Sequence, residues 1–247
     1  MTSCNVKLFS AYSTGEAGGG DAVTVEVGNQ GTVQLEEFAN CREILALDPS
    51  AEDGVYTLLI KYSNDNTQKI DAYCDMTTDG GGWTLVLNYT HMEFTHPRDR
   101  DSDDRLPLLG DKELGEDGSG SEGWGHAEFR LLAAIPAQEI RFYCASSAHD
   151  RKMHFITQNE NCINYAKRGL GSCNGVQAEH RLLDDHNALL PAVATSFDDD
   201  RRDNALLRLP FFSADAQWNI GKDGDRWACD DNSPDYRHST VHRVWIR

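Results

Sequence analysis

The stretch that most constrains this chain runs from Tyr73 to Val86, Tyr-Cys-Asp-Met-Thr-Thr-Asp-Gly-Gly-Gly-Trp-Thr-Leu-Val. It reads as strand, turn, strand. Cys74 ends the first strand, and Asp75 to Asp79 is a polar run. Gly80, Gly81 and Gly82 then supply positions that tolerate positive φ or a close backbone approach. Trp83 opens a β-branched and apolar run, Thr84-Leu85-Val86-Leu87. A glycine turn that delivers a tryptophan into a core just after a cysteine is a scaffold device. It carries no nucleophile and no acid/base pair.

The rest of the chain alternates between short strands, short helices and loops. Val55 to Tyr62, Lys69 to Cys74, Leu85 to Tyr89, Ile140 to Cys144, Lys152 to Thr157, Leu206 to Phe212 and Val241 to Ile246 read as strands. Glu36 to Leu47, Ala127 to Ile135 and Glu179 to Leu190 read as short helices, and Tyr165 to Gly171 as a turn region. In the last strand Val241, Arg243, Trp245 and Arg247 alternate with His242, Val244 and Ile246, which predicts burial on at least one face. Residues 91–123 are crowded with charge and read as a solvated excursion, not a second domain. Asp21 to Leu35 alternates about a Gly28-Asn29-Gln30-Gly31 turn and predicts a hairpin. That hairpin is read as extra strands beside the main domain, an oligomerisation arm or a linker remnant.

A net charge of −17 on 247 residues repels nucleic acid and anionic membranes at long range and is compatible with divalent cations. No apolar run approaches the roughly 18 residues that a membrane-spanning helix needs. Met1 to Lys7 lacks a basic and an apolar region, so no signal peptide is expected in this chain. Seven cysteines occur without a Cys-x-x-Cys pair, which argues against zinc. Cys162 and Cys173 bracket a Gly-rich loop and form one expected disulfide, and Cys144 with Cys229 is another. Cys4 is left over, either free or linking chains. The competing reading is a cytosolic protein with seven reduced thiols. Asn88-Tyr89-Thr90 is an N-glycosylation sequon on or at the end of a strand.

The Tyr73–Val86 string resembles the fibrinogen-like domain family, which includes ficolins, tachylectin-like lectins and intelectins. Asn40-Cys41-Arg42-Glu43-Ile44 and Asp53-Gly54-Val55-Tyr56-Thr57-Leu58 resemble that domain's opening segments, so the close likeness covers residues 40–90. The resemblance implies a disulfide between Cys41 and Cys74. It also implies an α+β domain at 39–247 with a central antiparallel sheet, short helices and long loops. A β appendage or linker at 1–38 precedes it. The implied function is a secreted recognition module that binds glycans or acetylated groups with calcium. A multivalent homo-oligomer is expected under that reading. The alternative is a structural or adhesive protein-interaction domain without a small ligand.

Ser196-Phe197-Asp198-Asp199-Asp200 resembles the family's calcium loop, with Asp198 and Asp200 at alternate positions and Asp203 completing the set. Arg201 and Arg202 depart from that pattern, and an acidic turn neutralised by its own arginines is the other reading. A second set of oxygens comes from Asp223, Asp225, Asp230 and Asp231. Trp218, Trp227, Tyr236 and His238 surround these loops, as ligand contacts or as core. No Gly-x-Ser-x-Gly, His-Glu-x-x-His or phosphate-binding loop occurs, so no enzyme is expected.

Overall fold

The computed structural model describes residues 37–64, 66–95, 102–170, 173, 179–194, 206, 208–221, 226–232 and 237–247. Contacts separate Met1–Glu36 from Glu37–Arg247. The hairpin expected at 21–35 and Cys4 lie outside the described residues.

Asn40 starts the first helix, α1 (Cys41–Leu47). Its Oδ1 accepts the Glu43 amide at 3.0 Å, while the Glu43 carboxylate reaches back to the Ala39 amide at 2.7 Å. Two amides that a helix start leaves without partners are satisfied in this way. Strands β1 (Gly54–Lys61) and β2 (Thr67–Asp75) form a hairpin with Gly54 opposite Cys74. β3 (Trp83–His91) follows the glycine turn, and the two-residue β4 (Ser102–Asp103) runs parallel to β5 (Gly125–Ala127). Next come α2 (Phe129–Ala134), β6 (Ile140–Ser146), β7 (Lys152–Thr157), α3 (Glu160–Arg168) and β8 (His180–Leu182). β9 (Arg208–Phe212), β10 (Gln217–Ile220), β11 (Trp227–Asp231) and β12 (Thr240–Ile246) complete the order. The main sheet runs β1-β2-β3-β12-β6-β7-β8 with β5 and β4 attached at β3, and β11-β10-β9 forms a small second sheet. Apart from the β4–β5 pair, the pairings are antiparallel. The fold class is α+β with an antiparallel sheet and short helices, as the resemblance implies.

β12 lies at the centre of the main sheet, between β3 and β6. His242, Val244 and Ile246 point into the principal core with Phe142, Phe155, Phe211 and Trp218. Trp245 points to the other face, where it packs with Trp83, Leu85 and Ile156. The alternation therefore buries both faces of β12 at its end. β3 switches faces by a bulge: Val244 faces Leu87 and Trp245 faces Leu85, leaving Val86 as the extra residue. Trp83 and Leu85 consequently lie on the second face, while Leu87 and Tyr89 enter the principal core.

Three disulfides hold the domain, Cys41–Cys74, Cys144–Cys229 and Cys162–Cys173. They are the three expected pairs. The first ties α1 to β2, the second ties β11 of the small sheet to β6, and the third ties α3 to the chain that follows it. Each closed loop contributes on the order of 2–4 kcal/mol by restricting the unfolded chain.

Two expectations are corrected. The turn region expected from Tyr165 is the second half of α3. Asn159 caps its start by accepting the Cys162 amide at 3.1 Å, and Gly169 ends it at φ 63°. The helix expected over Glu179–Leu190 is instead the edge strand β8 followed by turns. Leu182 is exposed and Leu183 packs on the second face, so this apolar run has no single helical side. The charged excursion is only partly solvated, because Leu106 and Pro107 are buried. The sequon is closed in the fold: Asn88 is buried and its side-chain amide donates to the Gly123 carbonyl at 2.6 Å.

The glycine turn admits no side chain at its centre. A Cβ on Gly81 (φ +72°) would overlap the Met76 carbonyl, and one on Gly82 would lie 2.9 Å from the Arg42 Cα. Gly81→Ala is expected to cost at least about 1–3 kcal/mol in urea unfolding. Gly110→Ala, where a Cβ meets nothing within 4 Å, is expected to stay within about 0.5 kcal/mol. Equal stability of the two variants would contradict the close approach.

Candidate functional site

The second face of the main sheet is built around a ladder of arginine and tryptophan. Arg247 stacks on Trp83 with 4.1 Å from guanidinium to ring centre, and Arg141 stacks on Trp83 at 4.9 Å and on Trp245 at 4.0 Å. Strand register makes this possible, because Trp245 lies directly opposite Arg141 and Arg243 opposite Tyr143. Desolvated contacts of this kind contribute up to about 2 kcal/mol each. The turn supplies the anchors. Trp83 donates its indole N–H to the Thr78 carbonyl at 2.9 Å. Arg247 bonds the Asp79 and Gly81 carbonyls at 2.8 and 2.9 Å, with its charge on Glu139 at 2.6 Å. Arg181 from β8 grips the Asp79 carboxylate through two bonds, at 2.7 and 2.5 Å.

Asp75 fixes the ladder from beneath. Its carboxylate accepts Arg141 Nη2 at 2.6 Å and the amides of Thr77 and Thr78 at 3.1 and 2.8 Å. Burial alone would raise its pKa, but the Arg141 charge and the Thr78 hydrogen bonds outweigh that and hold the carboxyl below its ordinary value. Burial pulls Arg141 below its usual value, opposed by Asp75.

A cleft of about 210 Å³ opens on this face between Tyr73, Tyr143, Arg141, Arg243, Trp245 and Leu109. Arg141 is 1% exposed, yet its Nε and Nη1 have no hydrogen-bond partner among the described residues. Arg243 gives its hydrogen bonds to neutral oxygens, Asn88 Oδ1 at 3.1 Å and the Lys112 carbonyl at 3.3 Å. Burial also lowers Arg243 from its usual value. His154 borders the cleft, bonds Asp185 at 2.7 Å and is pushed down by burial. A wider depression of about 610 Å³ lies by Arg42, Gln138, Gln158 and Asn164. The Glu139 carboxylate there is already held by Arg247 and Gln158.

The described residues among those expected to form a site, Trp218, Trp227, Asp230, Asp231 and His238, do not line this cleft. Asp198, Asp200, Asp203, Asp223, Asp225 and Tyr236 lie outside the described residues. Asp230 is buried and both of its oxygens are taken: Oδ2 accepts Arg151 Nε at 2.5 Å and the Leu189 amide at 2.9 Å, and Oδ1 accepts the Leu190 amide at 2.8 Å. It is a structural clamp on the 189–190 backbone, which corrects its place in the calcium set. Asp231 accepts the Ser146 hydroxyl at 3.1 Å and lies 3.7 Å from His149. Among the described residues no group of three or more His, Cys, Asp or Glu is placed to hold a metal. Trp218 and Trp227 are corrected from ligand contacts to core. Trp218 is enclosed by Phe142 and His242 and donates to the Leu206 carbonyl at 2.8 Å; Trp227 stacks on His91 at 4.6 Å. His238 is half-buried just before β12. The cleft residues were legible only as alternation, with Arg and Tyr at 141 and 143 and Arg and Trp at 243 and 245 on strands whose adjacency the sequence does not state.

Residues 39–104 match the family described as fibrinogen beta and gamma chains, C-terminal globular domain. Over this segment the chain is similar to the fibrinogen-like domain family. Similar curated proteins are mouse Tenascin, 46% identical over 41 residues, and human Angiopoietin-2, 41% identical over 58 residues. Mouse Angiopoietin-4 is 43% identical over 49 residues. These matches cover 17%, 22% and 20% of this chain, and 2%, 11% and 9% of the respective relatives. Among solved structures, the fibrinogen-like globe domain of human ANGPTL2 aligns over 84% of this chain and 98% of that one, at 15% identity and a TM-score of 0.35. That of human ANGPTL6 aligns over 85% and 96%, at 13% identity and a TM-score of 0.36. The fibrinogen-like segment includes the glycine turn, Trp83 and Asp75, which are the fixed parts of the ladder.

Asp75→Asn is expected to leave Arg141 buried without its counter-charge and to lower stability by about 3–5 kcal/mol at pH 7. The Asp75 pKa is depressed in the fold, so its contribution is complete above about pH 4 and is lost as pH falls through the lowered value. Unfolding curves of wild type and variant should converge toward acid pH. A constant difference from pH 7 to pH 2 would contradict the role given to Asp75.

Proposed function

We propose that this chain is a secreted protein-recognition module of adhesive or signalling type, docking through the second face of its main sheet. The observation that carries this is the composition of that face. Tyr73, Tyr143 and Arg243 are half-buried around Trp245, with Leu109 and Leu183 beside them. Tyr, Trp and Arg set over a rigid support are the residues that dominate protein–protein binding energy. The cleft volume of about 210 Å³ is below the roughly 300–1,000 Å³ of small-molecule pockets. Three disulfides support an oxidising, extracellular setting. No helix among the described residues is long and apolar enough to cross a membrane.

Glycan binding has less support, since Trp218 and Trp227, the aromatics expected to stack on a sugar, are core residues. Calcium at Asp198, Asp200 and Asp203, with Asp223 and Asp225 nearby, is proposed from the sequence pattern and carries no part of the docking reading.

The test is a binding screen against displayed extracellular proteins and a glycan array, each run with calcium and with chelator. A protein partner is expected whose affinity falls at least about tenfold in the Tyr73→Ala, Tyr143→Ala double variant and persists in chelator. Binding to glycans alone, abolished by chelator and indifferent to that double variant, would replace this function with the lectin.

A further inference from the structure

We propose that the cleft beside Arg141 and Arg243 is a carboxylate-binding site that takes a single Glu or Asp side chain from a partner peptide. Arg141 is almost wholly buried, yet Nε and Nη1 have no partner among the described residues. Its stacking on Trp83 and Trp245 does not change this. A π face is a weak acceptor beside a carboxylate or carbonyl oxygen, so these N–H groups still lack a full hydrogen-bond acceptor among the described residues. Buried donors without acceptors are costly, and Arg141 is one of the residues that line the cleft.

The surroundings are short of acceptors as well. Asp75 is spent on Arg141 Nη2 and the amides of Thr77 and Thr78. Asp53, the other carboxylate lining the cleft, accepts the Met76 amide at 2.7 Å and the Thr77 hydroxyl at 3.2 Å. Arg243 donates only to the neutral oxygens of Asn88 and Lys112. Glu113 acts on Arg243 electrostatically, but it is exposed and forms no ion pair with it. A carboxylate entering the cleft would bring about four lone-pair sites to two arginines, in charge-assisted bonds.

Size and charge select the source. The volume of about 210 Å³ suits one side chain rather than a substituted sugar ring. A chain of net charge −17 repels polyanions at long range, so a sulfated polysaccharide is disfavoured and a lone acid in a peptide is favoured. Leu109 and Trp245 offer apolar contact to the flanking residues. The peptide source rests on the protein-recognition reading; the carboxylate site does not.

The test follows the arginine Nε–H and tryptophan indole resonances of the ¹⁵N-labelled full chain during titration. The probes are acetyl-Gly-Glu-Gly-amide, its Gln counterpart and N-acetylneuraminic acid. The Glu peptide is expected to shift Arg141 Nε–H and the Trp245 indole saturably, and the Gln peptide to bind at least about tenfold more weakly. Arg243→Gln is expected to weaken the Glu peptide about tenfold while the other indole signals stay in place, so loss of fold is not mistaken for loss of the site. No saturable shift with either acid overturns the carboxylate site and leaves protein recognition to its own screen. Equal binding of the Gln peptide overturns the role of charge. A shift with N-acetylneuraminic acid alone overturns the peptide source and counts against protein recognition too.

Discussion

The fold depends on one buried ion pair, Asp75 with Arg141, made between strands that are 66 residues apart in sequence. Charge is expensive to bury, and this pair is tolerated because each partner has further support. Asp75 has two backbone amides from the turn, and Arg141 has two indole faces. The glycine turn makes the first possible, since a Cβ on Gly81 would overlap Met76 and one on Gly82 would crowd Arg42. The strand register makes the second possible by setting Trp245 opposite Arg141. Removing any one of these leaves the others with unsatisfied groups, so the turn, the ladder and the centre of the sheet form one cooperative unit.

Much of the scaffold was legible. The Cys-Asp…Gly-Gly-Gly-Trp string marks its turn by chemistry that few other structures need, and the alternation from Val241 to Arg247 marks its strand. Residues 160–168 were less legible because the segment is short, although Cys162, Ile163 and Ala166 keep helical spacing; the Asn159 and Gly169 caps were further usable signal. The second face was obscured by the bulge at Val86. Read as plain alternation, Trp83, Leu85, Leu87 and Tyr89 share one side, whereas the extra residue sends the first two to one face and the last two to the other. The cleft was not legible at all, because it exists only once β12 is inserted between β3 and β6 and brings Arg243 and Trp245 beside Tyr143 and Arg141. Acidic clusters are the more conspicuous feature of the sequence, but a carboxylate such as Asp230 can be spent wholly on an arginine and two backbone amides.

The chain is strongly acidic, yet Arg141 and Arg243 line a cleft whose two carboxylates, Asp53 and Asp75, are already engaged by hydrogen bonds. Long-range repulsion filters polyanions, while the proposed short-range site would take a single acid presented at close contact.

The most direct test of the docking face is amide hydrogen exchange with and without a bound protein partner. Docking on the second face should protect residues 73–78, 141–143 and 243–245 together, because they border one cleft from three strands. Protection confined to residues 198–236, with the cleft strands unchanged, would contradict the account and move recognition to the acidic loops.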